Sequence, residues 1–355
     1  MSRGLAAAAL VAAAACGAPA PVAPSPAERI AIVATERGPN GGRLVVIDER
    51  GDRYTELTEP AATAARDNSA VFSPDGRWVA FASSRGRALD ETSLWIVRVA
   101  IGAVPVRLTT GPEIDLTPAW TPDGKALVFA SKRAESLDLW KIGVDLGAEP
   151  PRAVGAPVQL TRAPGEELTP SVAADGRIAY TSVARDGAET VNRIEVLAPG
   201  GAVTAVTPGP FDSTPAWSPD RRTIAFSSLH LREGSDADQD IWLVDAGGGT
   251  PKVAVDVAGT FENGPVWSKD GRWIFCTSTL RKAGTAQALF ASVVYVDLRE
   301  KPPVVRMLVD RAGAVARLAP ALAPIDLDPD RLHANPGYLD ELGKILRAAL
   351  QEQPQ

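Results

Sequence analysis

The chain has 355 residues, a formal net charge of −6, two cysteines and two histidines. An acidic balance with no basic stripe argues against a nucleic-acid partner. Two histidines leave no zinc-spaced ligand set, and neither a phosphate-cradling glycine loop nor a Gly-x-Ser-x-Gly nucleophile elbow occurs.

The N-terminus reads as a targeting segment. Arg3 gives a short positive region, and Leu5 to Ala15 is an apolar run of small residues ending at Cys16. This is a secretory signal over residues 1–15, and Ala13-Ala-Ala-Cys16 resembles the cleavage box of bacterial lipoproteins. Cys16 would then carry the lipid and tie the chain to a membrane. Gly17 after it resembles the outer-membrane sorting pattern. Residues 16–27, rich in Pro and Ala, form a semi-rigid tether.

From residue 28 the pattern is β. Three short strands are expected at Arg29–Thr35, Arg43–Asp48 and Arg53–Thr58. Five related stretches follow: Phe72-Ser-Pro-Asp-Gly76, Trp120-Thr-Pro-Asp-Gly124, Val172-Ala-Ala-Asp-Gly176, Trp217-Ser-Pro-Asp-Arg221 and Trp267-Ser-Lys-Asp-Gly271. Their aspartates lie 48, 52, 45 and 50 residues apart, a period that suits one four-stranded sheet per repeat. In each unit a first strand ends in a large residue. A turn built on Pro, Asp and Gly leads to an apolar second strand. The second-to-third-strand connections, Ser84–Glu91, Val183–Thr190, Ser228–Gln239 and Thr279–Gln287, read as long variable loops, where binding is commonly built. Cys276 falls within the apolar strand Trp273–Ser278 and reads as core.

The ends complete each other. Residues 28–58 lack a first strand, and 315–324 align with Glu113–Pro122 but lack a following hairpin. The fold expected over 28–324 is an all-β, six-bladed β-propeller with a composite first blade. A tail over 325–355 should add a short helix at about 337–352, with Asn335 as N-cap, Pro336 at the first helical position and Leu339, Leu342, Leu346 and Leu350 on one side.

The run (Phe/Trp)-Ser-Pro-Asp-Gly-Arg-x-(Ile/Val)-Ala-Phe-x-Ser, later followed by (Asp/Ser)-(Ile/Leu)-Trp, resembles the propeller repeat of the TolB family over about 28–324. That resemblance implies a periplasmic, non-enzymatic protein-binding propeller, TolB being the partner of the lipoprotein Pal. The α/β domain that precedes the propeller in TolB has no counterpart in residues 1–27.

Candidate chemistry centres on acids. Asp67, Asp115, Glu167, Asp212 and Glu262 recur where inner strands begin, and Arg317 holds the matching place in the composite blade. Together they should circle one mouth of the channel and take a cation or a basic peptide. Alternatively each pairs with a loop cation, for which Arg85, Lys132, Arg133, Arg185 and Arg232 are available. Asp236, Asp238 and Asp240 alternate as calcium ligands can, although no turn glycine follows and a solvated acidic loop is the simpler reading. No other cofactor is expected. The leading expectation is a lipid-anchored envelope propeller binding a protein or peptide through its channel-mouth face. The alternative is a lyase or hydrolase of envelope polymers that uses mouth carboxylates as acid and base.

Overall fold

A computed structural model describes residues 30–38, 41–48, 54–58, 65–100, 102–187, 189–229, 238–257, 259–281, 288–308, 317–324, 326 and 334–335. The signal segment, Cys16, the tether, Asp236, Arg232, both histidines and the expected helix at 337–352 lie outside these residues.

Six blades radiate from a central channel. Blade 1 joins β1 (Ile30–Gly38), β2 (Gly41–Asp48) and β3 (Tyr54–Glu56) to β24 (Arg317–Leu322) from the far end of the chain. Blade 2 holds β4 (Ala65–Phe72), β5 (Trp78–Ser83), β6 (Ser93–Arg98) and β7 (Val106–Arg107). Blade 3 holds β8 (Asp115–Trp120), β9 (Ala126–Ser131), β10 (Asp138–Asp145) and β11 (Arg152–Gln159). Blade 4 holds β12 (Glu166–Val172), β13 (Ile178–Asp186), β14 (Glu189–Leu197) and β15 (Val203–Ala205). Blade 5 holds β16 (Asp212–Trp217), β17 (Thr223–Ser228), β18 (Asp240–Asp245) and β19 (Lys252–Val255). Blade 6 holds β20 (Thr260–Trp267), β21 (Trp273–Arg281), β22 (Ala288–Asp297) and β23 (Arg306–Leu308), with β25 (Ala334–Asn335) added outside β23.

The ring closes through β24. It pairs antiparallel with β1, with Ile32 opposite Leu322 and Glu36 opposite Arg317. Closure gives the innermost strand of blade 1 a partner it could not find locally. A second stitch joins blades 1 and 2, where Gly41 and Gly42 pair in parallel with Ala65 and Arg66. Gly41 sits at φ +131°, and a Cβ there would fall 1.8 Å from the Ala65 carbonyl oxygen, so no other residue fits.

The hairpin turns repeat one bonding scheme. In blade 2 the Ser73 hydroxyl donates to Asp75 Oδ1 at 2.5 Å, and the Arg77 N–H donates to the same oxygen at 3.1 Å. Thr121 with Asp123, Ser218 with Asp220 and Ser268 with Asp270 do the same. The apolar core is distributed between blades rather than within them, as six clusters, one per seam. In two seams an indole also donates to the preceding blade's inner strand: Trp120 Nε1 to Val71 O at 3.3 Å and Trp267 Nε1 to Ala216 O at 3.0 Å.

One local expectation changes. Val183–Thr190 is a hairpin rather than a long loop: β13 and β14 stay paired out to Asp186 and Glu189. The Asp186-Gly187 dipeptide, with Gly187 at φ 64°, closes the two strands in a tight turn. Asn335, expected as a helix N-cap, pairs with Met307 in β25, and the helix it would cap lies outside the described residues.

Candidate functional site

The recurring acids do not line an open mouth. Asp67, Asp115, Glu167, Asp212 and Glu262 are all at most 1% exposed. The cause is a backbone stitch. The N–H groups of Asp115, Glu167 and Glu262 donate to the carbonyls of Thr92, Leu137 and Gln239 of the preceding blade, at 3.0, 2.7 and 2.6 Å. This draws the start of each inner strand under its neighbour's rim.

Burial obliges the carboxylates to find partners. Asp67 accepts the Ser83 hydroxyl at 2.6 Å and a forked Arg85, at 3.1 Å from Nε and 2.6 Å from Nη2. Asp115 accepts Ser131 at 2.6 Å and Arg133 Nη2 at 2.7 Å. Asp212 accepts Ser228 at 2.6 Å and the Gly209 N–H at 3.0 Å. Glu262 accepts Thr260 at 2.5 Å and Ser278 at 2.8 Å. Glu167 accepts Thr161 at 2.9 Å. Arg85 and Arg133 thus do what the pairing alternative asked of loop cations, whereas Lys132 and Arg185 are exposed. Arg317 lies opposite Glu36 on β24.

The serines were missed from the sequence, although a signal was there. In four blades a serine follows the acid by 16 residues, at Ser83, Ser131, Ser228 and Ser278. Two further buried acids, Asp138 and Asp240, begin third strands and act on the next blade's glutamate. Burial raises the Glu167 carboxyl above its ordinary range, and the Asp138 charge adds to the rise. Burial pushes Glu262 up to about 8, with Asp240 contributing. Asp115 is also raised, because burial outweighs the lowering by Ser131, Thr109 and Arg133. Burial likewise pushes the Cys276 thiol up, so this cysteine is an inert core residue.

Of the alternating acids, Asp238 and Asp240 lie within the described residues. Asp238 and Asp240 come together with Asp256, which follows β19, and their carboxylate oxygens lie within 4.8 Å of one another. Three carboxylates supply part of the six to eight oxygens that calcium takes.

The open space at the axis lies elsewhere. A funnel of about 590 Å³ runs from the middle of the inner strands to the hairpin prolines Pro74, Pro122 and Pro324. Its wall is built by a bulge repeated around the ring. Ser69, Thr117, Thr169, Thr214 and Gly264 have φ of 52°, 45°, 49°, 49° and 64°, and the strand register slips at each. Left-handed backbone at a β-branched threonine is strained and survives only where its surroundings enforce it. Here neighbouring blades do so: the Thr214 N–H donates to Thr181 Oγ1 at 3.0 Å, and the Gly264 N–H donates to Ser227 Oγ at 3.3 Å. Among the described residues the funnel lining comprises Ser, Thr, Pro, Gly and apolar residues, with no titratable side chain.

Comparison with known proteins agrees with this architecture. TolB from Acinetobacter baumannii superposes with a TM-score of 0.63 at 17% identity, over 83% of this chain and 66% of that one. A putative TolB from Agrobacterium tumefaciens gives 0.61 at 20% identity, over 83% and 95%. The fold is that of a TolB-like β-propeller. This chain spans just under two thirds of the length of the Acinetobacter TolB. Kuenenia stuttgartiensis hydrazine synthase also matches, with a TM-score of 0.62 at 13% identity, over 86% of this chain and 48% of that one. Such distant likenesses speak for the TolB-like fold alone. No family model matches the chain, and no curated protein matches it in sequence.

Proposed function

We propose that this chain is a non-enzymatic, lipid-anchored propeller of the cell envelope, on the periplasmic side of the outer membrane, which holds a protein or peptide partner at its channel mouth as a TolB-like protein would. The carrying observation is the uncharged funnel. Proton transfer needs a titratable group within hydrogen-bond reach of the substrate, and none lines this wall among the described residues. A rigid ring of prolines and strained backbone suits docking of a partner segment instead. Lipidation at Cys16 rests on the cleavage-box pattern.

The enzymatic alternative has one observation on its side, the raised carboxyls of Glu167 and Glu262. Their exposure of 1% and 0% keeps them from a substrate.

Affinity capture from detergent-solubilised envelopes tests the reading, with the intact lipoprotein and a Ser69→Arg/Thr117→Arg variant as baits. Arginine is no worse than threonine at a left-handed position, so the fold should survive. A partner retained by the wild type and lost by the variant supports channel docking. Equal recovery from both baits contradicts it. Membrane partition identical for Cys16→Ser and wild type would refute the anchor.

A further inference from the structure

The seam between blades 3 and 4 departs from the repeat at two places. At four seams a large aromatic from the following blade's inner strand wedges against the preceding blade: Phe72, Trp120, Trp217 and Trp267. Between blades 6 and 1 that place is held by Leu322, and between blades 3 and 4 by the smaller Val172. The hairpins diverge there too. A Cβ built on Gly76, Gly124 or Gly271 would touch Pro324, Pro74 or Pro219 of the preceding blade, but one on Gly176 would touch Pro199 of its own blade. With neither wedge nor hairpin contact, a cavity of about 950 Å³ opens at this seam.

A second anomaly faces the same space. In each blade from 2 to 6 one third-strand residue pairs with the second strand and faces the next blade. In blades 2, 4, 5 and 6 it is Ile96, Val196, Leu243 or Tyr295. In blade 3 it is Lys141, opposite Val128 on β9 and Val158 on β11. An ammonium therefore stands in an otherwise apolar row. Lys125 joins it on the cavity wall, and Asp123, whose carboxyl is lowered first by the Thr121 hydroxyl, then by the Lys125 N–H and less by the two lysine charges, offsets one of the two charges. Across the cavity Val172, Ile178 and Leu197 supply an apolar wall. On the outer side Val154 and Val158 are 54% and 62% exposed.

We propose that the seam between blades 3 and 4 binds a free long-chain fatty acid, with its tail along Val172, Ile178 and Leu197 and its carboxylate on Lys141 and Lys125. The missing aromatic and the added lysine are separate departures from the repeat. Together they make the two ends of one amphiphile site. The volume falls within the range of about 300–1,000 Å³ typical of small-molecule pockets. A peptide adding to the β11 edge fits less well, because Pro157 interrupts the row of donors such pairing uses. The assignment stands independently of the channel reading above.

The test is calorimetric titration of the full chain with laurate below its micelle concentration. Laurate should bind one-to-one. Hexanoate should bind at least about fiftyfold more weakly, since each methylene contributes roughly two- to fourfold. Dodecyltrimethylammonium, of equal tail and opposite charge, should bind at least about tenfold more weakly. Lys141→Gln, at an exposed position, should cost laurate about tenfold and leave the melting temperature unchanged. Val172→Trp should fill the cavity and abolish binding; if it fails to fold, Lys141→Gln decides. Unchanged laurate affinity in Lys141→Gln, equal binding of the cationic surfactant, or binding of an acidic valine-rich peptide with none of laurate would each overturn the proposal.

Discussion

Blades 3 and 6 solve the same problem in opposite ways. Both bury an acid at the start of the inner strand and give it a serine 16 residues later. Blade 3 adds Arg133, which reaches Asp115 at 2.7 Å and stacks over Phe129. For blade 6 the nearby third-strand acid, Asp240, pushes the other way and favours a protonated Glu262. The recurring acid is therefore a structural stitch that can be kept either as an ion pair or as a neutral carboxyl. The even ring of negative charge expected from sequence does not exist, because burial differentiates positions that the repeat makes look alike.

The largest effect should come from breaking the ion pair. Arg133→Ala leaves Asp115 buried without its cation and should cost about 3–5 kcal/mol in urea unfolding at pH 7. A loss under about 1 kcal/mol would show that Asp115 does not depend on the pair.

Blade 6 should respond to pH instead. The Glu262 carboxyl sits at about 8 in the fold, against an ordinary value of 4.5. Between those pH values the folded chain holds a proton that the unfolded chain has lost. This contribution to stability is complete below about pH 4.5 and fades as pH rises through about 8. Glu262→Gln should flatten that decline and be more stable than the wild type at pH 9, by an amount on the order of a few kcal/mol. An unaltered pH profile in the variant would count against a protonated Glu262.

The serines should sharpen the contrast further. Ser131→Ala removes a bond to a charged acceptor and should cost about 2 kcal/mol, whereas Ser278→Ala removes one to a neutral carboxyl at pH 6 and should cost about 1 kcal/mol. Equal losses for the two would argue that both acids carry the same charge.

The smallest effect concerns the bulge. Blade 3 has Thr117 at φ 45° where blade 6 has Gly264 at φ 64°. The Thr117 hydroxyl is buried without a hydrogen-bond partner. Thr117→Gly should therefore be neutral or stabilising by up to about 1 kcal/mol in thermal unfolding, as strain relief offsets the added chain entropy. A clear loss would mean that the threonine packs more usefully than its backbone suggests.

Much of the fold was legible because its signals are local. Pro, Asp and Gly set each hairpin, and the match of Leu318-Ala-Pro-Ala-Leu322 to Leu116-Thr-Pro-Ala-Trp120 located the closing strand. The site was less legible because its signals are relational. An acid at a strand start looks like a rim residue until the stitch to the preceding blade is known. Asp256 joins Asp238 and Asp240 only through tertiary placement. The extended pairing from Asp186 to Glu189 was announced by the Asp186-Gly187 dipeptide, but the polar and charged residues on either side of it look like a loop.

The central claim, that the recurring acids are buried architecture in unlike charge states, is tested most directly by carbon-detected NMR titration of the Glu262 carboxyl, assigned by its disappearance in Glu262→Gln. A midpoint near pH 8 is predicted. A midpoint between about 4 and 5, the ordinary range of an exposed glutamate, would contradict the account.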